Sequence, residues 1–64
     1  MKIKDFKKTK LFKLANIVEY MDQDKKEINI TTTTQLRKLQ SKEIIDIKTR
    51  INNNLVIVTL YINI

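Results

Sequence analysis

From Ile44 to Ile64 the apolar residues fall mainly at every second position, in two runs separated by Asn52-Asn53-Asn54. Two β-branched runs joined by an Asn cluster are the pattern of a β-hairpin. A one-residue slip exchanges the two faces of a strand, so the length of the turn decides which side chains share a surface. A two-residue turn at Asn53-Asn54 sets Ile45, Ile47, Thr49 and Ile51 on one face with Val56, Val58, Leu60, Ile62 and Ile64. The opposite face then collects Asp46, Lys48 and Arg50 with Ile57, Thr59, Tyr61 and Asn63. This register separates an apolar face from a polar one, as a half-buried antiparallel pair requires. A three-residue turn would mix them. Asn enters the left-handed region more readily than other non-glycine residues, so the Asn pair suits a primed turn.

Upstream, Leu11, Leu14, Ala15, Ile17, Val18 and Met21 form an apolar arc at period 3.6, which predicts a helix from about Asp5 to Met21. Asp5 or Thr9 can cap its start, and the polar run Asp22 to Lys26 ends it. Phe12 and Tyr20 fall outside the arc and are expected to pack in the core or in a dimer. Glu27-Ile28-Asn29-Ile30-Thr31 alternates and predicts a short strand over Ile28–Thr31. Thr32 with Gln35 fits a capping box, so a second helix is expected from Thr33 to Lys42, burying Leu36 and Leu39. These elements predict a small α+β single domain over residues 1–64, in the order α-β-α-β-β. Its sheet is expected to be three-stranded and antiparallel, with residues 1–5 frayed.

At 64 residues the core barely offsets chain entropy, which makes a homodimer an expectation. Gly and Pro are both absent, so turns fall to Asn and Asp. The chain also lacks Cys and His, which excludes disulfides, thiolate metal sites and imidazole chemistry. Asp22, Asp24 and Glu27 are carboxylates of a polar turn and are read as solubilising residues; no metal or other cofactor is expected. With no Gly-rich phosphate loop and no base for Ser41, the chain is not expected to be an enzyme. It carries no apolar run long enough for a membrane span, and a cytoplasmic location without membrane attachment is expected. The net charge of +6 is concentrated at the two ends, where six lysines stand in residues 1–13 against Asp5 alone. Such asymmetry favours a polyanionic partner.

The run Leu14-Ala15-Asn16-Ile17-Val18-Glu19-Tyr20-Met21-Asp22 with Ile28-Asn29-Ile30-Thr31 resembles the first helix and opening strand of winged-helix domains. Leu36 to Ile47 is similar to a recognition helix entering the first wing strand, as in plasmid replication proteins and small bacterial transcriptional regulators. Twelve residues, Thr32 to Glu43, hold one helix where that family has two. The resemblance implies a winged-helix-like fold, with Thr34, Arg37, Lys38 and Ser41 reaching DNA from the helix. Lys48, Arg50, Asn52 and Asn53 would do so from the wing.

The expected function is therefore a nonenzymatic nucleic-acid-binding regulatory or replication accessory protein, with double-stranded DNA as the expected partner. Lys7, Lys8, Lys10 and Lys13 would add phosphate contacts. The alternative is a small phage or mobile-element protein of the anti-defence or anti-CRISPR kind, inhibiting a host protein through Phe12, Tyr20, Ile57 and Tyr61.

Overall fold

The Asn-paired hairpin dominates the computed structural model, which describes residues 1–64. Three helices, α1 (Ile3–Phe6), α2 (Lys10–Leu14) and α3 (Thr33–Gln40), accompany three strands, β1 (Ile17–Met21), β2 (Ile44–Asn52) and β3 (Leu55–Ile62). The α+β class is as expected; the order is α-α-β-α-β-β, in place of α-β-α-β-β. The strands lie in the order β1-β3-β2, with β3 in the centre. Asn52 faces Leu55 and Ile51 faces Val56 across the two-residue turn, whose Asn53 and Asn54 take φ of 51° and 64°. The expected faces hold from Ile47 to the turn. They fail at Ile45, because a bulge between Ile44 and Asp46 sets Ile44 opposite Ile62 and leaves Ile45 55% exposed.

The single helix expected over Asp5–Met21 is replaced by two short helices and a strand. Thr9 makes the first break, its hydroxyl donating to the Phe6 carbonyl at 2.7 Å and accepting from the Phe12 N–H at 3.4 Å. It thus closes α1 and caps α2. After extended Ala15, Asn16 imitates a strand residue, its N–H donating to the Val56 carbonyl at 2.9 Å and its Oδ1 accepting from the Val56 N–H at 2.8 Å. Ile17–Met21 then pairs parallel with β3, Val18 opposite Val58 and Tyr20 opposite Leu60. Apolar residues at 17, 18 and 21 satisfy a helical period only over a short window, whereas Ile17, Val18 and Tyr20 all favour a strand once an edge is available.

The sheet is consequently mixed and not wholly antiparallel. The strand expected at Ile28–Thr31 does not form: Glu27 makes a single bridge to Met21, and the Ile28 N–H donates to the Tyr20 carbonyl at 2.9 Å. Ile28 and Ile30 are instead half-buried against the core. The first residues, expected to fray, are tied down. Lys2 bridges Glu43, the Met1 carbonyl accepts from the Ile44 N–H at 2.8 Å, and Ile3 is fully buried.

Helix α3 has the expected capping box, with the Thr32 hydroxyl accepting from the Gln35 N–H at 3.2 Å and the Gln35 carboxamide accepting from the Thr32 N–H at 3.2 Å. It buries Leu39, while Leu36 stays half-buried and outside the main cluster. That cluster comprises Ile3, Phe6, Leu39, Val58, Leu60 and Ile62, with Phe12 edge-on to Phe6 at 6.0 Å between ring centroids. Each fully buried side chain of this size contributes about 1.5–3 kcal/mol, so six of them carry most of the stability of so small a chain. No helix is long and apolar enough to cross a membrane.

In the turn after β1, one carboxylate oxygen of Asp22 accepts from the N–H groups of Asp24 at 2.8 Å and Lys26 at 2.9 Å. The left-handed residue there is Lys25, at φ 63°, and not an Asn or Asp. A left-handed non-glycine residue costs roughly 1–2 kcal/mol, part of which glycine returns as unfolded-state entropy. Lys25→Gly is expected to raise stability by about 0.5–1 kcal/mol, read as a higher urea midpoint at unchanged slope. Phe6→Ala, at a cost of roughly 3–5 kcal/mol, is expected to abolish the cooperative thermal transition followed by circular dichroism.

Candidate nucleic-acid interface

Strand alternation divides the side chains of the sheet between two surfaces. Val18, Tyr20, Val56, Val58, Leu60 and Ile62 point towards the helices, since they belong to or pack against the cluster that includes Ile3, Phe6 and Leu39. Ile17, Glu19 and Met21 of β1, Ile57, Thr59 and Tyr61 of β3, and Asp46, Lys48 and Arg50 of β2 share the other surface. No helix covers that side.

The residues expected to bind nucleic acid therefore fall into two groups. Lys7, Lys8, Lys10 and Lys13 belong to α1, α2 and their junction, and Thr34, Arg37, Lys38 and Ser41 to α3 and its C-terminus. Lys48 and Arg50 lie across the sheet from them, so α3 and the two hairpin cations do not form one continuous surface. Asn52 and Asn53 are exposed at the tip, between the two sides.

On the open side the charges are matched locally. Arg50 Nη2 donates to Glu19 Oε1 at 3.0 Å and Thr59 Oγ1 donates to Glu19 Oε2 at 3.2 Å, so one carboxylate ties β1 to both other strands. Lys48 Nζ stands 5.4 Å from the centre of the Tyr61 ring, within cation–π range. Between them, Lys48, Thr49, Arg50, Thr59 and Tyr61 line a shallow concavity of about 210 Å³. The link of Glu19 to Arg50 and Thr59 becomes visible only when Ile17–Met21 is read with period two.

The helical side is different. Residues 1–13 and 33–42 contain nine basic side chains, Lys2, Lys4, Lys7, Lys8, Lys10, Lys13, Arg37, Lys38 and Lys42, against Asp5 alone. The molecule has two ion pairs, Arg50 with Glu19 and the Met1 amine with Glu43, and neither uses one of these nine side chains. Their fields add instead of cancelling. Lys2, Lys4 and Lys42 add to the cations of these segments beyond the residues expected from the sequence.

The expected hydrophobic anchors are largely used within the fold. Phe12 and Tyr20 pack against the core, and Ile57 is 5% exposed between Ile17 and Arg50 on the central strand, which removes it as an interface anchor. Tyr61 remains half-buried on the open side. Burial desolvates the Tyr20 phenolate and raises its pKa above the ordinary 10.0. No family model, curated protein or solved structure matches the chain.

Glu19→Gln is expected to lower stability by up to about 1 kcal/mol, with the difference from wild type shrinking in high salt, because its pair with Arg50 is largely solvated. Tyr20 gives a pH signature. The unfolded chain loses the phenolic proton at lower pH than the folded one, so stability falls as pH rises above 10.0 towards the raised value. Tyr20→Phe is expected to have a shallower loss of stability than wild type across that window, measured by urea unfolding at stepped pH.

Proposed function

We propose that this chain is a nonenzymatic nucleic-acid-binding regulatory or replication accessory protein, and that it meets the phosphate backbone through its helical side. The observation that carries the reading is the nine-to-one excess of basic side chains on the helical segments, none of them in an ion pair. Unpaired surface cations give up little on meeting phosphates, and the release of condensed counterions supplies the affinity. An α-helix is about 10–12 Å across, which the major groove of duplex DNA admits. Thr34, Arg37, Lys38 and Ser41 are exposed at the i, i+3, i+4, i+7 spacing of one face of α3 and its C-terminus, so they can be offered together to base edges. Arg37 is the side chain suited to a bidentate contact with guanine. The proposed role for the hairpin is limited to its tip, at Asn52 and Asn53, because Arg50 is held by Glu19 on the far side.

Fluorescence anisotropy with labelled duplex DNA and single-stranded RNA tests this. About five phosphate contacts predict a fall of roughly 500-fold in duplex affinity between 50 and 200 mM salt. Lys8→Glu with Lys10→Glu is expected to weaken binding to every sequence by at least about tenfold, whereas Arg50→Ala changes it less than about twofold. Equal losses from the two changes would reject the helical side as the binding surface.

A further inference from the structure

We infer that the open side of the sheet is the contact surface of a homodimer, in which two copies stack sheet on sheet and turn their helices outward. This does not depend on the proposed binding of nucleic acid, which concerns the opposite side of the molecule.

Three observations select a second copy as the occupant. First, the open side keeps apolar residues that no core uses: Ile17 is 42% and Leu55 41% exposed, and both flank Ile57, which is buried yet outside the main cluster. Second, this side is electrically balanced on a chain of net charge +6, with Glu19 and Asp46 set against Lys48 and Arg50. A balanced surface has little attraction for a polyanion. Third, the balance is laid out across the strands. Glu19 stands on β1, at one margin, and Lys48 and Arg50 on β2, at the other, with β3 between.

A two-fold axis parallel to the strands and midway between two such sheets places β1 of one copy over β2 of the other. Glu19 and Lys48 are both level with Thr59. Glu19 of each copy, already bonded to Arg50 and Thr59 of its own chain, then lies over Lys48 of its mate, which has no ion pair of its own, and the apolar ends bearing Ile17 and Leu55 coincide. An axis across the strands would instead bring β1 over β1, carboxylate towards carboxylate. The contact is isologous and closes after two copies. Face-to-face sheets lie about 10 Å apart, so the two strongly cationic helical layers are held on the outer sides, where their repulsion is smallest. A three-stranded face is at the small end of specific interfaces, which puts dissociation in the micromolar to millimolar range.

The test is multi-angle light scattering over a concentration series, with methyl NMR in the presence of a soluble paramagnetic agent on the same full chain. The expected mass rises from 7.6 kDa at low concentration towards twice that value, while Ile17 and Leu55 methyls become protected. Ile17→Lys with Leu55→Lys, both at partly exposed positions, is expected to stay monomeric with an unchanged circular dichroism spectrum; Ile51→Lys, 74% exposed on the helical side of β2, is expected to dimerise as wild type. A monomeric mass up to roughly 1 mM would overturn the proposal. So would a dimer whose protected methyls lie on the helical side or at Ile51, or protection of this side by single-stranded oligonucleotide at concentrations where the protein is monomeric. If the doubly substituted chain fails to fold, the protection pattern of wild type decides alone.

Discussion

Everything in this fold is referred to β3, which is paired along both edges and carries five of the eight buried residues, Ile57 to Leu60 without interruption and Ile62. Val58, Leu60 and Ile62 are buried on its helix-facing side and Ile57 and Thr59 on the other, so Leu55–Ile62 reads as a largely apolar run in which the Thr59 hydroxyl donates to the Glu19 carboxylate. Its helix-facing residues Val58, Leu60 and Ile62 receive Ile3, Phe6 and Leu39 from segments far apart in sequence. Its two edges fix the directions of β1 and β2. The helices are short and place few residues in the core, so the sheet orders them and not the reverse.

Local chemistry made parts of this arrangement legible. The hairpin register follows from alternation on either side of Asn53-Asn54, and the start of α3 from the reciprocal bonds available to Thr32 and Gln35; both depend on residues within a few positions of each other. The identity of β1 depends on a partner forty residues away. Ile17, Val18 and Met21 complete a helical arc as easily as they line a strand, and the deciding contribution, the free edge of β3, has no signature inside the segment. The same holds for Glu19, whose role rests on Arg50 and Thr59. The misplacement of Ile45 has a different origin, since a bulge shifts register without altering the composition of the run. Lys25 shows one more limit: it takes the left-handed conformation between two N–H groups bound by Asp22, although nothing in its own side chain favours that conformation.

The charges separate along the same division as the side chains. Cations without partners collect over the helices, while those across the sheet are neutralised by Glu19 or placed over the Tyr61 ring. The outer edge of β2 is also guarded: the bulge at Ile45 twists it, Lys48 and Arg50 are charged, and the Ile47 N–H is taken by the Asp46 carboxylate at 2.9 Å. Such features discourage addition of a further strand at that edge.

The parallel pairing of β1 with β3 sets a timetable. β2 and β3 are neighbours in the chain and can zip from their turn, but Ile17 reaches Ile57 only after the long intervening segment has been gathered in, so this contact carries the greater closure entropy. Until Leu55–Ile62 is available, Ile17–Met21 has no edge to join, so the strand conformation of these five residues belongs to the closing step of folding and not to their own sequence.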